Sequence, residues 1–309
     1  ITTFRSDSYD GVSRNPAVMF GDTLEGDLIR RDFKVNAMAV ELLVDDTGQL
    51  SARFHDPVGG LQDLVDRRLD TPDAPEISFH DDPLRMLRAA RFVSQLGFGV
   101  AGRVKAAMTD MAGEINRITA ERIQVELNKL MLGEAPWAGM NLLVTTGVAR
   151  HVFPEIPAMQ DMADEHNQHK DVYAHSMQVL RQAIDQEEDG PDLVLRWAAL
   201  LHDCGKPDTR AWNDEGRVTF HHHEVVGAKL VRRRLRALKY PKQMVGDVSQ
   251  LIYLHMRFYG FGEGQWTDSA VRRYVTDAGE LVPRLHKLVR ADSTTRNKRK
   301  AARLQRTYD

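Results

Sequence analysis

The segment Arg30–Ala39 combines residue types that could handle a nucleoside triphosphate. The adjacent guanidinium groups of Arg30 and Arg31 can form forked hydrogen bonds with phosphate oxygens. Asp32 and Asn36 can reach sugar hydroxyls, or they can hold the loop that does so. An Arg-Arg-Asp sequence is also common on a solvated helix face, where it forms an internal ion pair. The segment alone leaves both interpretations open.

A second candidate set follows at Asp81–Phe92. Asp82 precedes Pro83, an order typical of a helix N-cap and its first helical residue. Asp82 and Arg85 are three residues apart and share one helix face. A carboxylate accepts hydrogen bonds and a guanidinium donates them, so the pair could bind the Watson–Crick edge of a nucleobase. Helix capping and base recognition compete for the same Asp82 side chain, and the sequence does not decide between them.

The third candidate set is rich in histidine and centres on the dipeptide His202-Asp203, which Cys-Gly-Lys-Pro follows. An isolated helical histidine is usually a core or surface residue. Here the partners occur in the order of the H…HD…D pattern, which resembles HD-domain metal-dependent phosphohydrolases. Their nitrogen and oxygen ligands suit Mn, Ni, Mg or Fe better than a structural zinc ion, which prefers thiolates. We therefore predict a metal site made of His175, His202, Asp203, His223, His255 and Asp292, with the choice within the triplet His221–His223 left open.

The elements that must position these residues indicate an α+β fold. Ile1–Arg5 has strand-like alternation, Ser6–Gly21 has loop composition, and Thr23 is placed to cap a short helix. Val35–Val44 and Leu50–Phe54 are expected to be extended on either side of a turn. From Pro83 onward, apolar residues recur at helical spacing almost to the end of the chain.

Composition excludes several classes of protein. The 309 residues carry 42 Lys and Arg against 44 Asp and Glu, so no global positive charge indicates a nucleic-acid partner. The single cysteine, Cys204, excludes an internal disulfide and favours a reducing cytoplasm. No apolar run has membrane-spanning length. Because Ile1–Arg5 has the pattern of a strand already under way and Ala301–Asp309 that of an unfinished helix, we expect the chain to be truncated at both ends.

Four segments resemble, in order, motifs of the bacterial class II tRNA nucleotidyltransferase / poly(A) polymerase family with a C-terminal HD domain. The family motifs are R-R-D-x-T-x-N-A, D-P-x-G-G-x-x-D-L, E-D-x-x-R-x-x-R-x-x-R-F and S-x-E-R-I-x-x-E-L. The corresponding segments of this chain are Arg30–Ala39, Asp56–Leu64, Asp81–Phe92 and Thr119–Leu127. Lys34 replaces the Thr of the first motif, and Asp81 replaces the Glu of the third.

The resemblance implies a domain order. Residues 1–70 would be the remnant of a small mixed-sheet nucleotidyltransferase head, and residues 71–157 a mostly α-helical neck that binds nucleotide and RNA. Residues 158–297 would form an α-helical HD domain, and residues 298–309 would begin a basic helical tail. The Asp56–Leu64 segment would link head and neck, which implies a hinge. Nucleotide binding would involve Arg30, Arg31, Asp32, Asn36, Asp82, Arg85, Arg88 and Arg91.

The implied function is template-independent addition or repair of the 3′-terminal CCA of tRNA with CTP and ATP. Mg²⁺ would act in the head and a divalent transition metal such as Mn²⁺ or Ni²⁺ in the HD domain. The D-x-D carboxylates that two-metal phosphoryl transfer requires do not occur upstream of Thr2, so we expect this chain alone to be inactive in transfer.

Three alternatives stay open. One is a poly(A) polymerase of the same family, and the second is an HD-type metal-dependent phosphohydrolase or phosphodiesterase. The third is a non-catalytic RNA-binding fragment that uses the basic tail with Arg232, Arg233, Arg234 and Arg236. The oligomeric state is not predicted.

Overall fold

A computed structural model describes residues 5–8, 17–20, 23–160, 171–258 and 267–293. The helices are α1 (Leu24–Ile29), α2 (Gly60–Val65), α3 (Pro75–Asp81), α4 (Leu84–Leu96), α5 (Gly102–Asp110), α6 (Ala120–Met131), α7 (Pro136–Thr145), α8 (Ala149–Val152), α9 (Val172–Ile184), α10 (Leu193–Leu201), α11 (Lys206–Thr209), α12 (His223–Ala237), α13 (Lys242–Leu254), α14 (Asp268–Ala278) and α15 (Val282–Asp292). The strands are β1 (Arg5–Ser8), β2 (Ala17–Phe20), β3 (Ala39–Val44), β4 (Leu50–His55), β5 (Arg68–Leu69), β6 (Gly99–Val100), β7 (Ala211–Trp212) and β8 (Val218–Thr219). The α+β prediction is confirmed.

The chain divides into two compact units. The first comprises residues 1–119 and 133–151, and the second comprises residues 120–132 and 152–309. Helix α6 therefore belongs to the second unit, although it is flanked in sequence by the first. The predicted domain boundaries at residues 70, 157 and 297 stay predictions, and the predicted basic tail lies outside the described residues. No helix in the described ranges is long and apolar enough to cross a membrane.

The strands of the first unit form two-stranded sheets. β1 pairs antiparallel with β2, β3 with β4, and β5 runs parallel to β6. The loop predicted for Ser6–Gly21 is wrong in part, because the run Ala17-Val18-Met19-Phe20 is strand β2. Valine and phenylalanine favour a pleated strand even where flanking residues favour a turn.

The β3–β4 hairpin confirms the predicted turn, in which the Asp45 side chain accepts hydrogen bonds from the backbone of Thr47 and Gln49. The extended segment begins later than predicted, because Lys34–Asn36 forms a 3₁₀ turn. The Asn36 side chain accepts a hydrogen bond from the Phe33 backbone N–H at 3.3 Å, and this local bond competes with a strand.

The core of the first unit lies around α4, which packs against α7. Gly97 ends α4 in the left-handed conformation at φ 66°, which glycine adopts without strain. Phe33 and Phe92 pack edge to face with ring centroids 5.6 Å apart, which fixes the segment after Asp32 to this helix.

In the second unit, α10 lies at the centre and packs against α6, α9, α13 and α15. Its Trp197 is fully buried and stacks on Phe153 at 5.1 Å between ring centroids. Arg196 is also buried, and its guanidinium donates to both carboxylate oxygens of Glu187 and to the carbonyl of Met131. A buried guanidinium needs such partners because an unpaired buried charge is strongly destabilising.

Candidate functional sites

The six predicted metal ligands come together in the second unit from the ends and faces of its central helices. His175 lies on α9, His202 and Asp203 end α10, and Asp292 ends α15. His223 begins α12, and His255 directly follows α13. Four of the six are buried, namely His202, Asp203, His223 and His255. The side chains of His175 and Asp292 are 15% and 9% exposed. Their sequence separations reach 117 residues.

The polar atoms of the cluster lie at hydrogen-bonding or metal-ligating distances from one another. His175 Nε2 is 2.9 Å from Asp292 Oδ1, and His202 Nε2 is 3.3 Å from Asp203 Oδ2. His223 Nε2 is 3.3 Å from both Asp203 Oδ1 and His255 Nε2. Asp203 therefore lies between two groups of ligand atoms, one with His175 and His202 and the other with His223 and His255.

Three histidines of the cluster are held in the same way. The Nδ1 atoms of His202, His223 and His255 each lie within 2.6–2.9 Å of the backbone carbonyl three residues earlier in the chain. An Nδ1–H that donates to a carbonyl leaves the Nε2 lone pair to face the cluster, which is the usual arrangement of metal-ligating imidazoles. Among the described residues, the buried His202 Nε2 has no hydrogen-bond partner of good geometry, although carboxylate oxygens of Asp203 and Asp292 lie 3.3 and 3.4 Å away. These observations fit a divalent cation among the six side chains.

The electrostatics of the cluster also favour a cation. Burial opposes the charged form of His202, but the carboxylates of Asp203 and Asp292 outweigh it and raise the pKa of this imidazole to about 10. Burial and the positive charge of His202 together lower the pKa of His255 to about 4. Burial would raise the pKa values of Asp203 and Asp292, yet the neighbouring imidazoles hold both well below their usual range. Two buried carboxylates thus face a region that must carry positive charge.

Two glycines make this geometry possible. A Cβ atom on Gly205 would lie 2.1 Å from the carbonyl oxygen of His223 and 2.6 Å from the backbone nitrogen of Gly227. The segment after Asp203 can approach α12 closely only because these side chains are missing. Sequence reasoning did not select Gly205 or Gly227, although the Cys-Gly-Lys-Pro run contains the first of them.

Lys206 is a further member that the prediction omitted. Its ammonium group is 2.9 Å from Asp203 Oδ2, and its side chain is only 14% exposed. The HD-C-G-K spacing was the available signal. Within the histidine triplet, His223 lies in the cluster, whereas His221 and His222 are exposed.

The predicted nucleotide-binding residues of the first unit form a network of internal contacts. Asp32 accepts a hydrogen bond from Arg88 Nε at 2.5 Å and from Asn36 Nδ2 at 2.8 Å. Arg85 donates to the carbonyl of Arg30 and to the Ser78 hydroxyl, both at 2.8 Å. The segments around residues 30 and 85 are thereby joined by contacts between residues more than 50 positions apart in the chain.

The other members lie at the edge of this network. Arg31 is half-exposed and donates to Asp27 and to the Asn36 carbonyl. Asp82 follows α3, and its side chain accepts a hydrogen bond from the Leu84 backbone N–H at 3.2 Å, while Pro83 is the N-cap residue of α4. The guanidinium of Arg91 lies 4.5 Å from the ring centroid of Phe92. The helix face predicted as one interpretation for Arg30 and Arg31 is not observed, because α1 ends at Ile29.

Burial alone would raise the pKa of Asp32, but the ion pair with Arg88 and the hydrogen bonds from Arg88 and Asn36 lower it below its usual value. The network is therefore a charged one at neutral pH. It holds the loop that carries the Arg pair, the second of the two roles that the sequence allowed for Asp32 and Asn36.

The Asp56–Leu64 segment packs against the same loop. Gly59 has φ +74°, and a Cβ on Gly60 would lie 2.0 Å from the Lys34 carbonyl oxygen. The Asp56 carboxylate accepts hydrogen bonds from the backbone N–H groups of Gly60 and Leu61 and so caps α2. The two glycines are needed for a left-handed turn and for close packing, which gives the segment a structural role beside the predicted hinge.

Three family models match successive parts of the chain. They are the poly A polymerase head domain at residues 1–70, the probable RNA and SrmB-binding site of polymerase A at residues 97–159, and the HD domain at residues 172–297. The chain belongs to the bacterial class II CCA-adding enzyme / poly(A) polymerase family. Membership of this family and possession of an HD domain imply dependence on a divalent metal ion.

Two curated members of this family show the extent of the similarity. An A-adding tRNA nucleotidyltransferase of Deinococcus radiodurans is 36% identical over 275 residues, which are 87% of this chain and 60% of the relative. A multifunctional CCA protein of Haemophilus influenzae is 37% identical over 230 residues, covering 71% of this chain and 52% of the relative. The chain thus spans little more than half the length of these family members.

A solved structure of a family member agrees in fold. The crystal structure of the Bacillus stearothermophilus CCA-adding enzyme in complex with CTP is similar with a TM-score of 0.60 and 25% sequence identity. The similarity covers 99% of this chain and 62% of that enzyme.

Proposed function

We propose that this chain is the greater part of a tRNA nucleotidyltransferase that adds or repairs the 3′-terminal CCA with CTP and ATP. The observation that carries the proposal is the network in which Arg85 and Arg88 contact Arg30 and Asp32. These contacts bring together the two motifs that the family uses for the triphosphate and for the base. The relatives named for A addition and for CCA addition support the same reaction class.

Each side chain of the network has a role that its chemistry allows. We assign phosphate contacts to Arg30 and Arg31, positioning of the loop that carries them to Asp32 and Asn36, base selection to Asp82 and Arg85, and support of the site to Arg88 and Arg91. A guanidinium and a carboxylate three residues apart in the chain can distinguish the hydrogen-bonding edges of bases without a template. In the family the catalytic Mg²⁺ is held by the D-x-D carboxylates, so the residues of this chain bind and orient the nucleotide rather than transfer it.

The test is transfer by the complete gene product onto tRNA that ends before CCA, with CTP and ATP supplied separately and together. We expect incorporation of C and then A in the wild type. Incorporation of A alone onto tRNA ending in CC would make it an A-adding enzyme, and long A tails would make it a poly(A) polymerase.

The base-selection role is tested by Arg85→Ala and Arg85→Lys in that protein. The Ala variant should lose the order of incorporation as well as rate, because Arg85 would no longer meet the base. Lys105→Ala, on the exposed face of α5, is the matched control and should behave as wild type. Retention of strict C-then-A order by Arg85→Ala would contradict the role.

A second activity, hydrolysis of phosphoesters by the HD domain, is favoured by the histidine–aspartate cluster. A bound divalent metal such as Mn²⁺ or Ni²⁺ would be held by His175, His202, Asp203, His223, His255 and Asp292. It would supply Lewis-acid activation of a phosphoester and of water. These six side chains would hold the metal in position, and Lys206 would lie beside the reacting phosphate.

We expect the purified chain to bind a divalent metal and to hydrolyse a 2′,3′-cyclic phosphate, with both properties lost in His202→Ala. His221→Ala is the matched control because that histidine is exposed outside the cluster. Metal analysis of the wild type with no bound divalent ion would contradict the site. The single buried cysteine supports the cytoplasm as the proposed compartment.

A further inference from the structure

A concave surface lies in the second unit, between the end of α12 and the start of α13. This basic pocket has a volume of about 450 Å³ and is lined by the exposed cations Arg232, Arg236, Lys239 and Lys242 over the buried Tyr240 and Val245. Within the described part of the chain, the side chains that line it include none that is acidic.

The cations of the pocket differ from their neighbour Arg234. Arg234 donates to both carboxylate oxygens of buried Glu155 at 3.0 and 3.2 Å, so its charge is satisfied. Among the described residues, the side chains of Arg232, Arg236, Lys239 and Lys242 make no hydrogen bond or ion pair. Four arginines were predicted as an RNA-binding cluster. Arg232 and Arg236 line the pocket, whereas Arg233 and Arg234 do not.

The helix geometry concentrates these charges. Arg232, Arg236 and Lys239 follow at i, i+4 and i+7, so they lie along one face of α12 and its C-terminal turn. Like charges at this spacing destabilise a helix unless an anion lies between them. A negative ligand would offset this repulsion.

The turn after α12 places Lys239 where glycine is the usual residue. Its backbone has φ 61°, and the N–H groups of Lys239 and Tyr240 bond to the carbonyls of Arg236 and Leu235 at 3.0 Å each. This is the Schellman pattern, in which a side chain at the left-handed position is unfavourable. A cation occupies this position although glycine would favour stability.

The start of α13 adds to the positive character. Pro241 is its N-cap residue and makes no side-chain cap, and the first turn has no acidic residue. The positive end of the helix dipole therefore adjoins Lys242 without a compensating negative group.

We propose that the basic pocket binds the phosphodiester backbone of the tRNA substrate. This inference rests on the proposed function for the identity of the RNA. Four cations from the end of α12, the turn after it and the start of α13, without an acidic or exposed aromatic group beside them to contact a base, suit backbone phosphates rather than a nucleobase. The pocket is also larger than one phosphate group requires, and its open cations suit a chain of successive phosphates.

The test is binding of a tRNA transcript to the purified chain at several salt concentrations. Arg232→Gln/Arg236→Gln should weaken binding about tenfold or more at 0.1 M salt, and should reduce the slope of log affinity against log salt by about 2. Arg272→Gln/Arg273→Gln removes two exposed arginines from α14 and is the charge-matched control, with less than a threefold effect expected. Arg232→Lys/Arg236→Lys keeps the charge and should retain most of the affinity.

Lys239→Gly separates binding from folding. It should raise the unfolding temperature, because glycine suits φ 61°, and lower tRNA affinity several-fold. A variant that is more stable but binds less tRNA excludes misfolding as the cause.

Other outcomes distinguish this inference from the proposed function. Equal tRNA binding by the wild type and Arg232→Gln/Arg236→Gln would overturn the inference and leave the proposed function intact. If inorganic phosphate at constant ionic strength displaced tRNA from the wild type at low millimolar concentration, the pocket would be a small-anion site and the RNA assignment would fall. Loss of binding in the pocket variants together with no nucleotide transfer by the complete gene product would support the inference alone.

Discussion

The histidine–aspartate cluster of the second unit and the network of predicted nucleotide-binding residues in the first unit both contain ionisable side chains. They differ in which groups compensate the charges of those side chains. In the network, Asp32 already pairs with Arg88, and Arg85 donates to a carbonyl and a hydroxyl. In the cluster, the Nε2 atoms of His202, His223 and His255 face carboxylates and one another. The network balances its charges within the protein, whereas the cluster has the composition of a site completed by a cation.

The difference suggests how each site works. Ligand binding to the cluster adds a charge that the surrounding helices already accommodate, so little rearrangement is needed. Nucleotide binding to the network must compete with existing ion pairs and hydrogen bonds, so every new hydrogen bond to a phosphate or a base replaces an internal one. The proposed metal would thus enter a preorganised cluster, whereas the proposed nucleotide would meet a network that already serves as a scaffold.

The largest expected effect comes from Gly205→Ala. The added methyl group would overlap the His223 carbonyl, displacing α12 from the segment that carries Asp203. We expect loss of metal binding and a decrease in the free energy of unfolding of about 3 kcal/mol. Metal titration by calorimetry and chemical denaturation measure the two effects.

Gly246→Ala is the control for that substitution. Gly246 lies on an exposed face of α13 with nothing within 4 Å of a new Cβ. Because alanine favours a helix over glycine, we expect a gain of about 0.5–1 kcal/mol and unchanged metal binding. Wild-type metal affinity in Gly205→Ala would show that the close approach of α12 does not position the cluster.

The next effect concerns the network. Arg88→Ala would leave the buried Asp32 carboxylate with Asn36 as its only partner in the network and should destabilise the first unit by about 2–3 kcal/mol. The double variant Asp32→Asn/Arg88→Ala should recover part of this loss, because the unpaired charge is then removed. Denaturation of Arg88→Ala, Asp32→Asn and the double variant measures the coupling.

A double variant as unstable as the sum of its single variants would contradict that pairing. It would mean that Arg88 stabilises α4 by packing alone. The network would then not compensate its own charges, and it would no longer differ from the cluster in that respect.

Local features of the fold could be predicted because they depend on neighbouring residues. The Thr23 cap is confirmed, with its hydroxyl accepting a hydrogen bond from the Gly26 N–H. Strand β2 was not predicted because its apolar run has only four residues and lies between longer polar segments. A run of four residues carries too little periodicity to separate a strand from a loop.

The sites were harder to predict because their contacts are long-range. Sequence spacing placed Asp32 and Arg88 in separate motifs, and nothing in that spacing gives the 2.5 Å contact between them. Lys206 was missed because a lysine beside a metal ligand is unexpected on charge alone. The assignments of metal ligands and nucleotide contacts stay predictions, which the experiments proposed above test.

A smaller effect is expected from pH. Burial would raise the pKa values of Asp32 and Asp70, but Arg88 pairs with the first, and Arg103 and Lys34 pair with the second, so both values lie below the ordinary one. An unfolded chain then binds more protons than the folded one as pH falls through these values. Stability of the first unit is therefore fully present above about pH 4 and is lost progressively as acid protonates the two carboxylates.

Asp32→Asn should flatten this acid-induced loss, since its amide does not titrate, while Asp46→Asn is a control at an exposed turn. Urea denaturation between about pH 3 and pH 6 measures the slope for each protein. An Asp32→Asn variant with the wild-type slope would show that the pKa of Asp32 is the same in the folded and unfolded states, which would contradict its pairing with Arg88 in the network.

Arg31→Gln is expected to have the smallest effect on stability, while its effect on function is confined to the KM for the nucleotides. Arg31 is the member of the Arg pair with 46% of its side chain exposed, and its ion pair with Asp27 spans one turn at the surface. Such pairs contribute at most about 0.5 kcal/mol, so the free energy of unfolding should hardly change. In the complete gene product, however, the KM for CTP and ATP should rise about tenfold while kcat changes little, because a phosphate contact would be lost. Arg53→Gln, another exposed ion-paired arginine, should leave both constants unchanged. If Arg31→Gln also leaves KM unchanged, its guanidinium belongs to the self-balanced scaffold, and the phosphate contacts must come from other members of the network.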